Sequence, residues 1–233
     1  MKILTTAPKP DFDIYIARDD TQWVERDPGE ALEPLYDQGY LPYSGTKDAQ
    51  GIFYRARSAR VVLPQFEMGS ENRRIAKKFN SRFERERVPM TDFVADEALY
   101  TFCLEYFAQK HGPRAMPRER LETIIQSGLI TNTTIYRSIR DSKVVAYVFE
   151  VAEGDMGHYW FSFYDIAYAR QSLGLWLMLD AIRDANARGL THYYLGTVYG
   201  EKALYKTNFE PLEWWDGSAW SGDITALKER GRE

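Results

Sequence analysis

The chain has 233 residues, a net charge of −4 and 44% apolar residues. This length suits one large or two small domains, and the apolar content is enough for a sizeable core. The negative charge disfavours nucleic-acid binding by the whole surface but allows a local basic patch. The N-terminus turns polar too soon for a secretory signal, and no apolar stretch is long enough to span a bilayer. We therefore expect a cytoplasmic protein with no membrane partner.

The cysteine and histidine content argues against a metal centre. The single cysteine, Cys103, lies in an apolar run and excludes an internal disulfide and a thiolate cluster. We interpret it as a buried helix residue rather than a nucleophile. Because His111, His158 and His192 lack the spacing of metal ligands, we predict no metal.

The first 65 residues alternate turn signals with short strand-like runs, which predicts a small N-terminal subdomain. The strand-like runs cover 12–16, 51–57 and 60–64. A helix is predicted to begin at Ser70 as N-cap and to bury Ile75, Phe79 and Phe83 on one face. We place the end of this N-terminal region at residue 92.

A basic stripe follows the same helical spacing on the neighbouring face. It contains Arg74, Lys77, Lys78, Arg82 and Arg85. Basic residues outnumber the interleaved Glu84 and Glu86, so the pattern suits anion binding, and the alternative is an ordinary solvated face.

Residues 93–233 combine helices and strands in the order of a mixed α/β sheet. Helices are predicted at 95–110, 117–127, 172–187 and 200–206, and strands at 133–139, 144–151, 158–164, 191–196 and 208–214. This order contains one βαβ crossover. It resembles the GCN5-related N-acyltransferase fold, a mixed sheet with flanking helices, and we assign residues 93–233 to that catalytic domain.

The segment 163–176 leaves a strand and enters a helix, so the backbone N–H groups near Ser172 and Gly174 are available to an anion or a carbonyl oxygen. Acetyl-CoA enzymes of this fold carry Gln/Arg-x-x-Gly-x-Gly/Ala here. The chain keeps Gln171 and Gly174 but has Trp176 at the last small position. We expect the indole to crowd a coenzyme pyrophosphate, which favours a different acyl donor.

Several short motifs, in order, resemble the arginyl-tRNA–protein transferases and their bacterial leucyl-transferring branch. The resemblance covers about residues 35 to 220 and rests on Ser44-Gly45, Tyr54-Arg55, Ser70–Arg74, Phe163-Tyr-Asp165, Arg170–Gly174, Tyr194-Leu-Gly196 and Tyr205-Lys206-x-x-Phe209-x-Pro211-Leu-Glu213. It implies transfer of an amino acid from an aminoacyl-tRNA co-substrate, with no other cofactor. The family's usual acceptor is the N-terminal amine of a protein, commonly one that begins with an acidic residue.

The chain departs from this family in one place. The family carries a cysteine cluster directly after the Tyr-Arg pair, whereas residues 57–60 here are Arg-Ser-Ala-Arg. Any metal or iron–sulfur site of the family is therefore missing. The departure leaves the acceptor open between a protein, a peptide and a small-molecule amine.

Aminolysis of an ester needs a neutral amine, a proton acceptor and donors for the developing oxyanion. We predict that the amides of Leu173 and Gly174 bind the oxyanion and that Asp165 orients or deprotonates the amine. The alternative for Asp165 is a cap on the following turn. Tyr194, with Tyr164, is predicted to hydrogen-bond the ester; the alternative is that both are core rings.

Other residues are predicted to bind substrate. The candidates for contact with the donor or the acceptor are Tyr54, Arg170, Gln171, Ser172, Tyr205 and Lys206. Lys206 offers a positive charge to a phosphate or carboxylate, and the alternative is an ordinary surface lysine. Arg55 and Arg57 alternate along one strand and are predicted to hold an acidic side chain, or else to form a surface salt bridge. The basic stripe is predicted to contact the tRNA backbone.

Two further functions compete with this one. The first is an ordinary acetyl-CoA-dependent N-acetyltransferase with the indole of Trp176 turned aside. The second is a non-catalytic relative that binds tRNA or an acidic peptide, which the missing cysteine cluster favours and the retained Asp165, Gly174 and Tyr205-Lys206 disfavour.

Overall fold

A four-stranded antiparallel sheet forms the N-terminal part of the molecule. The computed structural model describes residues 1–12, 21–48 and 50–231, so the strand expected at 12–16 lies almost wholly outside the described residues. The sheet has the order β1-β2-β4-β3. Its strands are β1 (Lys2–Leu4), β2 (Trp23–Glu25), β3 (Tyr40–Pro42) and β4 (Ile52–Arg55), and the short helix α1 (Glu33–Asp37) precedes β3.

An eight-stranded mixed sheet forms the rest of the framework, as the sequence order predicts. Its strands are β5 (Ser58–Val62), β6 (Phe83–Pro89), β7 (Asn132–Ser138), β8 (Val144–Glu153), β9 (Met156–Tyr164), β10 (His192–Thr197), β11 (Leu212–Trp215) and β12 (Trp220–Ser221). They are arranged as β12-β11-β5-β10-β9-β8-β7-β6. β9 and β10 are the parallel pair, and β5 and β6, which precede residue 92, both belong to this large sheet.

Helices cover the large sheet and connect its strands. They are α2 (Ser70–Phe79), α3 (Glu97–His111), α4 (Arg118–Gln126), α5 (Leu173–Ala187) and α6 (Ile224–Arg230). Short 3-10 helices occupy Leu63–Gln65, Ile166–Gln171 and Glu201–Asn208. α5 makes the crossover between β9 and β10 and ends before Gly189, whose φ of +80° lies in the left-handed region that favours glycine.

The helix predicted through residue 85 is wrong beyond Phe79. α2 ends there, and Phe83 begins β6, the edge strand of the large sheet. The rings of Phe79 and Phe83 stack at 5.9 Å between centroids, so the apolar spacing of four residues continues across a turn instead of along a helix. The N-cap is Gly69 rather than Ser70.

Two apolar clusters lie on the two sides of the large sheet. The larger one packs α2, α3, α4 and α5 against the strands and contains Cys103, which is fully buried as predicted. The second cluster joins Tyr36 and Phe53 of the small sheet region to Val151, Met156 and Tyr194 of the large sheet. The two sheets therefore share a core. Within the described residues, no helix is long and apolar enough to cross a membrane.

Candidate active site

A cavity of about 560 Å³ opens where β9 and β10 separate. The two strands pair only between Met156–His158 and His192–Tyr194. Beyond this point β9 continues beside β8, while β10 shifts register against β5 at Gly196. The gap is closed by the small sheet, by the end of α3 and by the 3-10 helix Glu201–Asn208.

The wall of this cavity is mostly apolar and aromatic. Its apolar members are Leu41, Pro42, Phe107, Ala115, Trp160, Phe161, Met178 and Leu195, and tyrosines contribute at positions 43, 54, 159 and 205. Arg120 and Lys206 supply positive charge. Among the described residues that line the cavity, none carries a carboxylate. An apolar, cationic cavity suits an uncharged acyl group and an acidic partner better than a cation.

Lys206 places a buried amine in the wall of the cavity. Its side chain comes from the 3-10 helix that follows β10, is 8% exposed, and donates from Nζ to Thr197 O at 2.6 Å. Burial lowers the pKa of Lys206 to about 7, because a charged ammonium loses its hydration there. A large fraction of Lys206 is therefore neutral near physiological pH and able to accept a proton.

His158 lines the same cavity from β9 and is 2% exposed. Its Nδ1 shares a hydrogen bond of 2.9 Å with the hydroxyl of Tyr36, which lies on α1. Burial, and to a smaller extent the nearby charge of Lys206, lowers the pKa of His158 to about 3, so the ring is neutral at pH 7. A Cβ built on Gly196 would lie 3.8 Å from both His158 Nε2 and Lys206 Nζ. The two nitrogens thus converge on the register shift in β10.

Arg120 is held in place by backbone and hydroxyl oxygens at the other side of the cavity. It is 3% exposed, and its Nε donates to Ser44 O at 2.8 Å and its Nη2 to Ser44 Oγ at 2.9 Å. A third bond runs from Nη1 to Ala115 O at 3.3 Å. These bonds connect α4 to the Ser44-Gly45 turn, one of the motifs on which the resemblance rests.

The sequence-predicted site residues do not all meet at this cavity. Tyr54, Tyr205 and Lys206 line it, and the burial of Lys206 excludes the alternative of a surface lysine. Tyr194 is buried behind the cavity wall, where its hydroxyl donates to Asp37 Oδ1 and accepts from Arg60 Nη1, both at 3.2 Å. Its predicted contact with the ester stays a prediction.

The strand-to-helix junction lies next to the cavity rather than in its wall. Asp165 is exposed and accepts from Ala167 N at 2.9 Å, which is the capping contact considered as its alternative. The ring of Tyr164 would lie 3.0–3.2 Å from a Cβ on Gly174, so a small residue is needed for this packing. The roles predicted for Asp165, Leu173 and Gly174 stay predictions.

Trp176 does not stand over the junction as the sequence predicted. It is 3% exposed, packs against Phe79, Phe83 and Tyr136, and donates from Nε1 to Asn80 Oδ1. The indole faces the core because position 176 is on the buried side of α5. The expectation that it crowds a pyrophosphate was wrong.

Basic side chains approach the junction from α2 and from the turn that follows it. Lys78 Nζ donates to Gln171 O at 2.9 Å, and Arg82 Nη1 donates to Gln171 Oε1 at 3.3 Å. They come together next to the N-terminus of α5, where Ser172 has a φ of +69° and Arg170 is exposed. The N-terminus of this 15-residue helix and the two cations favour an anion at this corner.

The other members of the predicted stripe have different surroundings. Arg74 pairs with Glu71 at 2.7 Å on the same helix, and Lys77 is exposed. Arg85 lies on β6, where it pairs with Asp184 at 2.9 Å and with Asp180 at 3.4 Å. The stripe is therefore not one continuous helical face.

Arg55 and Arg57 line a second cavity of about 300 Å³. Arg55 ends β4, stacks over the ring of Tyr40 at 4.6 Å and donates to Gln38 O. Arg57 follows the strand and stacks over Tyr199 at 5.0 Å. The two arginines share a cavity, but β4 ends at Arg55, so they do not alternate along one strand as predicted. This cavity is separate from the one that contains Lys206.

His158, Tyr36 and Arg120 were missed as site residues. His158 lies in the aromatic run that was predicted as a strand, and no local pattern distinguished it from the neighbouring strand residues. Tyr36 and Arg120 reach the cavity across 122 and 76 residues of chain, through their bonds to His158 and Ser44. In the described part of the chain, no cluster of three or more His, Cys, Asp or Glu side chains has the arrangement of a metal site.

Comparison with known proteins assigns this fold to a family. Residues 70–207 match the family model described as Acetyltransferase (GNAT) domain. The aspartate/glutamate leucyltransferase of Parvibaculum lavamentivorans is 29% identical over 198 residues, which are 78% of this chain and 79% of the relative. That of Methylorubrum extorquens is 30% identical over 196 residues, 74% of this chain and 77% of the relative. The solved structure of L-PGS from Bacillus licheniformis has a TM-score of 0.52 at 11% identity, with 87% of this chain and 70% of that chain covered, and shows the shared fold alone.

The fold and the matched domain define an acyltransferase of the GNAT class. Within that class, the chain belongs to the family of the aspartate/glutamate leucyltransferases and is a transferase. This confirms the resemblance to the aminoacyl-transferring family that the motifs indicated, and the chain is a member without the cysteine cluster.

Proposed function

We propose that the protein transfers an apolar aminoacyl group, leucyl or one of similar size, from an aminoacyl-tRNA to the N-terminal amine of a peptide. The acceptor begins with Asp or Glu. The observation that carries this proposal is the apolar, carboxylate-free lining of the described cavity, with Lys206 buried at its wall. The names of the related leucyltransferases support the same donor and acceptor.

The donor side chain is argued from the cavity wall. Leu41, Phe107, Met178 and Leu195 offer apolar contact to a branched side chain. An arginyl side chain would bury a guanidinium beside Lys206 and Arg120 without a carboxylate from the described lining. Burial of an unpaired charge costs several kcal/mol, so arginine is disfavoured.

The acceptor is argued from charge. The guanidinium of Arg120 makes the cavity positive, and a carboxylate is the side chain that this charge favours. The acidic residue of the acceptor would then lie in the cavity that contains Lys206. The sequence-based assignment of that residue to Arg55 and Arg57 stays a second prediction.

Lys206 supplies the proton transfer in this scheme. The neutral acceptor amine attacks the carbonyl carbon of the aminoacyl ester, a C–N bond forms, and the π pair moves to the carbonyl oxygen. Neutral Lys206 takes a proton from the attacking nitrogen. When the intermediate collapses, the C–O bond to the ribose breaks, and Lys206 returns the proton to the leaving oxygen. No net proton is gained by the enzyme.

The tRNA is proposed to lie along the corner formed by Lys78, Arg82 and the start of α5. This corner adjoins Tyr164, whose hydroxyl accepts from Lys110 Nζ at 3.0 Å near the end of α3. Because α3 also provides Phe107 and His111 to the cavity, a nucleic-acid backbone at the corner would be close to the cavity entrance. Phosphate contacts there position the donor without reading its bases.

A transfer assay with purified protein tests the proposal. tRNAs charged with labelled leucine, phenylalanine or arginine are combined with peptides that differ only in their first residue, Asp, Glu, Lys or Ala. Acetyl-CoA forms a parallel series. We expect label to move from leucyl-tRNA to the Asp and Glu peptides. Preferred transfer of arginine, or acetylation without aminoacyl transfer, contradicts the proposal.

A further inference from the structure

His158 and Tyr36 form a buried pair that has no role in the proton transfer assigned to Lys206. The imidazole lies on β9 at the last residue that pairs with β10, immediately before the strands separate. Its Nδ1 is engaged by the Tyr36 hydroxyl at 2.9 Å, and Nε2 faces Gly196 and the cavity. A histidine buried to 2% exposure at the opening of the cavity is positioned to contact a ligand.

The direction of the hydrogen bond with Tyr36 is linked to the tautomer of the neutral ring. A neutral imidazole carries one N–H, and the hydrogen bond at one nitrogen determines what the other presents. The Tyr36 hydroxyl is a donor with no other acceptor among its described hydrogen bonds. If it donates to Nδ1, the proton of the ring is on Nε2. A neutral N–H then points into the cavity beside the base Lys206.

We propose that His158 is the oxyanion donor of the transferase: its Nε2–H hydrogen-bonds to the carbonyl oxygen of the aminoacyl ester, and Tyr36 is the positioning residue that fixes this tautomer. This inference rests on the proposed function. As the amine attacks, the carbonyl oxygen gains the π electron pair, and the N–H of His158 donates to it without transferring its proton. The proton from the amine goes to Lys206, so the two nitrogens serve different atoms of one intermediate.

Electrostatics favour this division of roles. A preorganised donor in a site shielded from water stabilises the transition state more than the same donor in solution, because it needs no reorganisation as charge develops. His158 stays neutral over the working pH range, since burial and Lys206 lower its pKa to about 3. A neutral ring keeps its N–H throughout the reaction and does not compete with Lys206 for the proton.

The test compares ring variants by steady-state kinetics with leucyl-tRNA and an Asp-initiated peptide. His158→Phe removes the donor and keeps a ring of similar size, and we expect kcat to fall about 100-fold with KM within about threefold. His158→Gln, whose amide N–H reaches the position of Nε2, should restore part of the lost rate. Tyr36→Phe should lower kcat about tenfold, the effect of losing one orienting hydrogen bond.

Two matched controls separate catalysis from folding. Tyr40→Phe removes a hydroxyl of a buried tyrosine that bonds to Gln22 outside the cavity. His192→Gln changes a half-buried histidine on β10 that contacts Thr191. Both should keep kcat within about twofold of wild type, and circular dichroism melting curves report the fold of every variant.

The outcomes are distinct. A wild-type enzyme that moves no aminoacyl group from any charged tRNA overturns the proposed function and, with it, this inference. An active wild type with a folded His158→Phe variant whose kcat is unchanged, or whose loss is confined to KM, overturns the role of His158 alone. If His158→Phe does not fold, Tyr36→Phe decides the question, and a kcat equal to that of Tyr40→Phe overturns the proposal.

Discussion

Lys206 lies on the 3-10 helix after β10, where its amine has lost most of its contact with water and keeps a hydrogen bond to Thr197 O. The titratable or charged groups that share its cavity are Tyr43, Tyr54, His111, Arg120, His158, Tyr159 and Tyr205. None of these described groups is a carboxylate that would hold the ammonium in its charged form. Desolvation therefore determines the direction of the shift.

The pH dependence of the rate tests this residue. The pKa of Lys206 is lowered to about 7, so the neutral, proton-accepting form is lost as pH falls through 7 and is gained as pH rises. We expect kcat/KM to rise with pH through two ionisations, one with a pKa of about 7 from Lys206 and one with a pKa of about 8 from the α-amine of the peptide. In Lys206→Met the residual activity should follow only the second ionisation.

The matched control is Lys202→Met, which removes an exposed lysine from the same 3-10 helix. Its pH profile should coincide with that of wild type. An unchanged lower ionisation in Lys206→Met would assign that ionisation to another group and remove Lys206 from the proton transfer.

At the scale of elements, α2 and β6 divide the basic stripe between two environments. Lys78 and Arg82 meet at Gln171 beside the start of α5, whereas Arg85 on β6 is neutralised by Asp180 and Asp184. A paired guanidinium contributes little net attraction to a phosphate, because its field is partly cancelled at short range. Position on the fold, rather than the number of basic residues, should therefore determine tRNA affinity.

Charge-removal variants test this division. We expect Lys78→Ala and Arg82→Ala each to weaken binding of aminoacyl-tRNA and to reduce the slope of log K against log salt by about 1 per lost phosphate contact. Arg85→Ala should leave that slope unchanged. Filter binding or fluorescence anisotropy between about 50 and 200 mM salt measures both quantities. An equal change of slope for all three variants would show that Arg85 contacts the tRNA backbone as Lys78 and Arg82 do.

At the scale of the whole molecule, the small sheet forms part of the candidate active-site cavity and of a core shared with the large sheet. It supplies Leu41, Tyr43 and Tyr54 to the cavity, and its cluster includes Val151, Met156 and Tyr194 of the large sheet. An apolar cluster shared by two sheets couples their stability, since neither can open without exposing the other's buried surface.

Hydrogen exchange measures this coupling. We expect the slowest amides of β4 and β9 to exchange with similar opening free energies, within about 1 kcal/mol, because both require global unfolding. The amides at the ends of β1 serve as an internal control and should exchange faster, since Lys2 and Ile3 are exposed. Opening of β4 at a much lower free energy than β9 would contradict a shared core.

The sequence predicted the elements that local pattern controls. The strand-like runs that became β7, β8 and β9 were recognised from local composition and pattern. The helix α5 was recognised in the same way, and Gly189 marked its end. The motifs also indicated the family, and they contained Lys206, which lines the cavity. The prediction that the helix continues past Phe79 was wrong, because Phe83 keeps the helical spacing although it belongs to a strand.

What only the tertiary structure decided is which side chains meet. His158 joins Tyr36, and Arg120 joins Ser44, across long stretches of chain, and Trp176 turns into the core rather than toward a ligand. The lowered pKa of Lys206 likewise depends on the walls that exclude water from it. Periodicity determines which residues share a face of one element, but desolvation and contacts between distant residues arise only when the two sheets pack together.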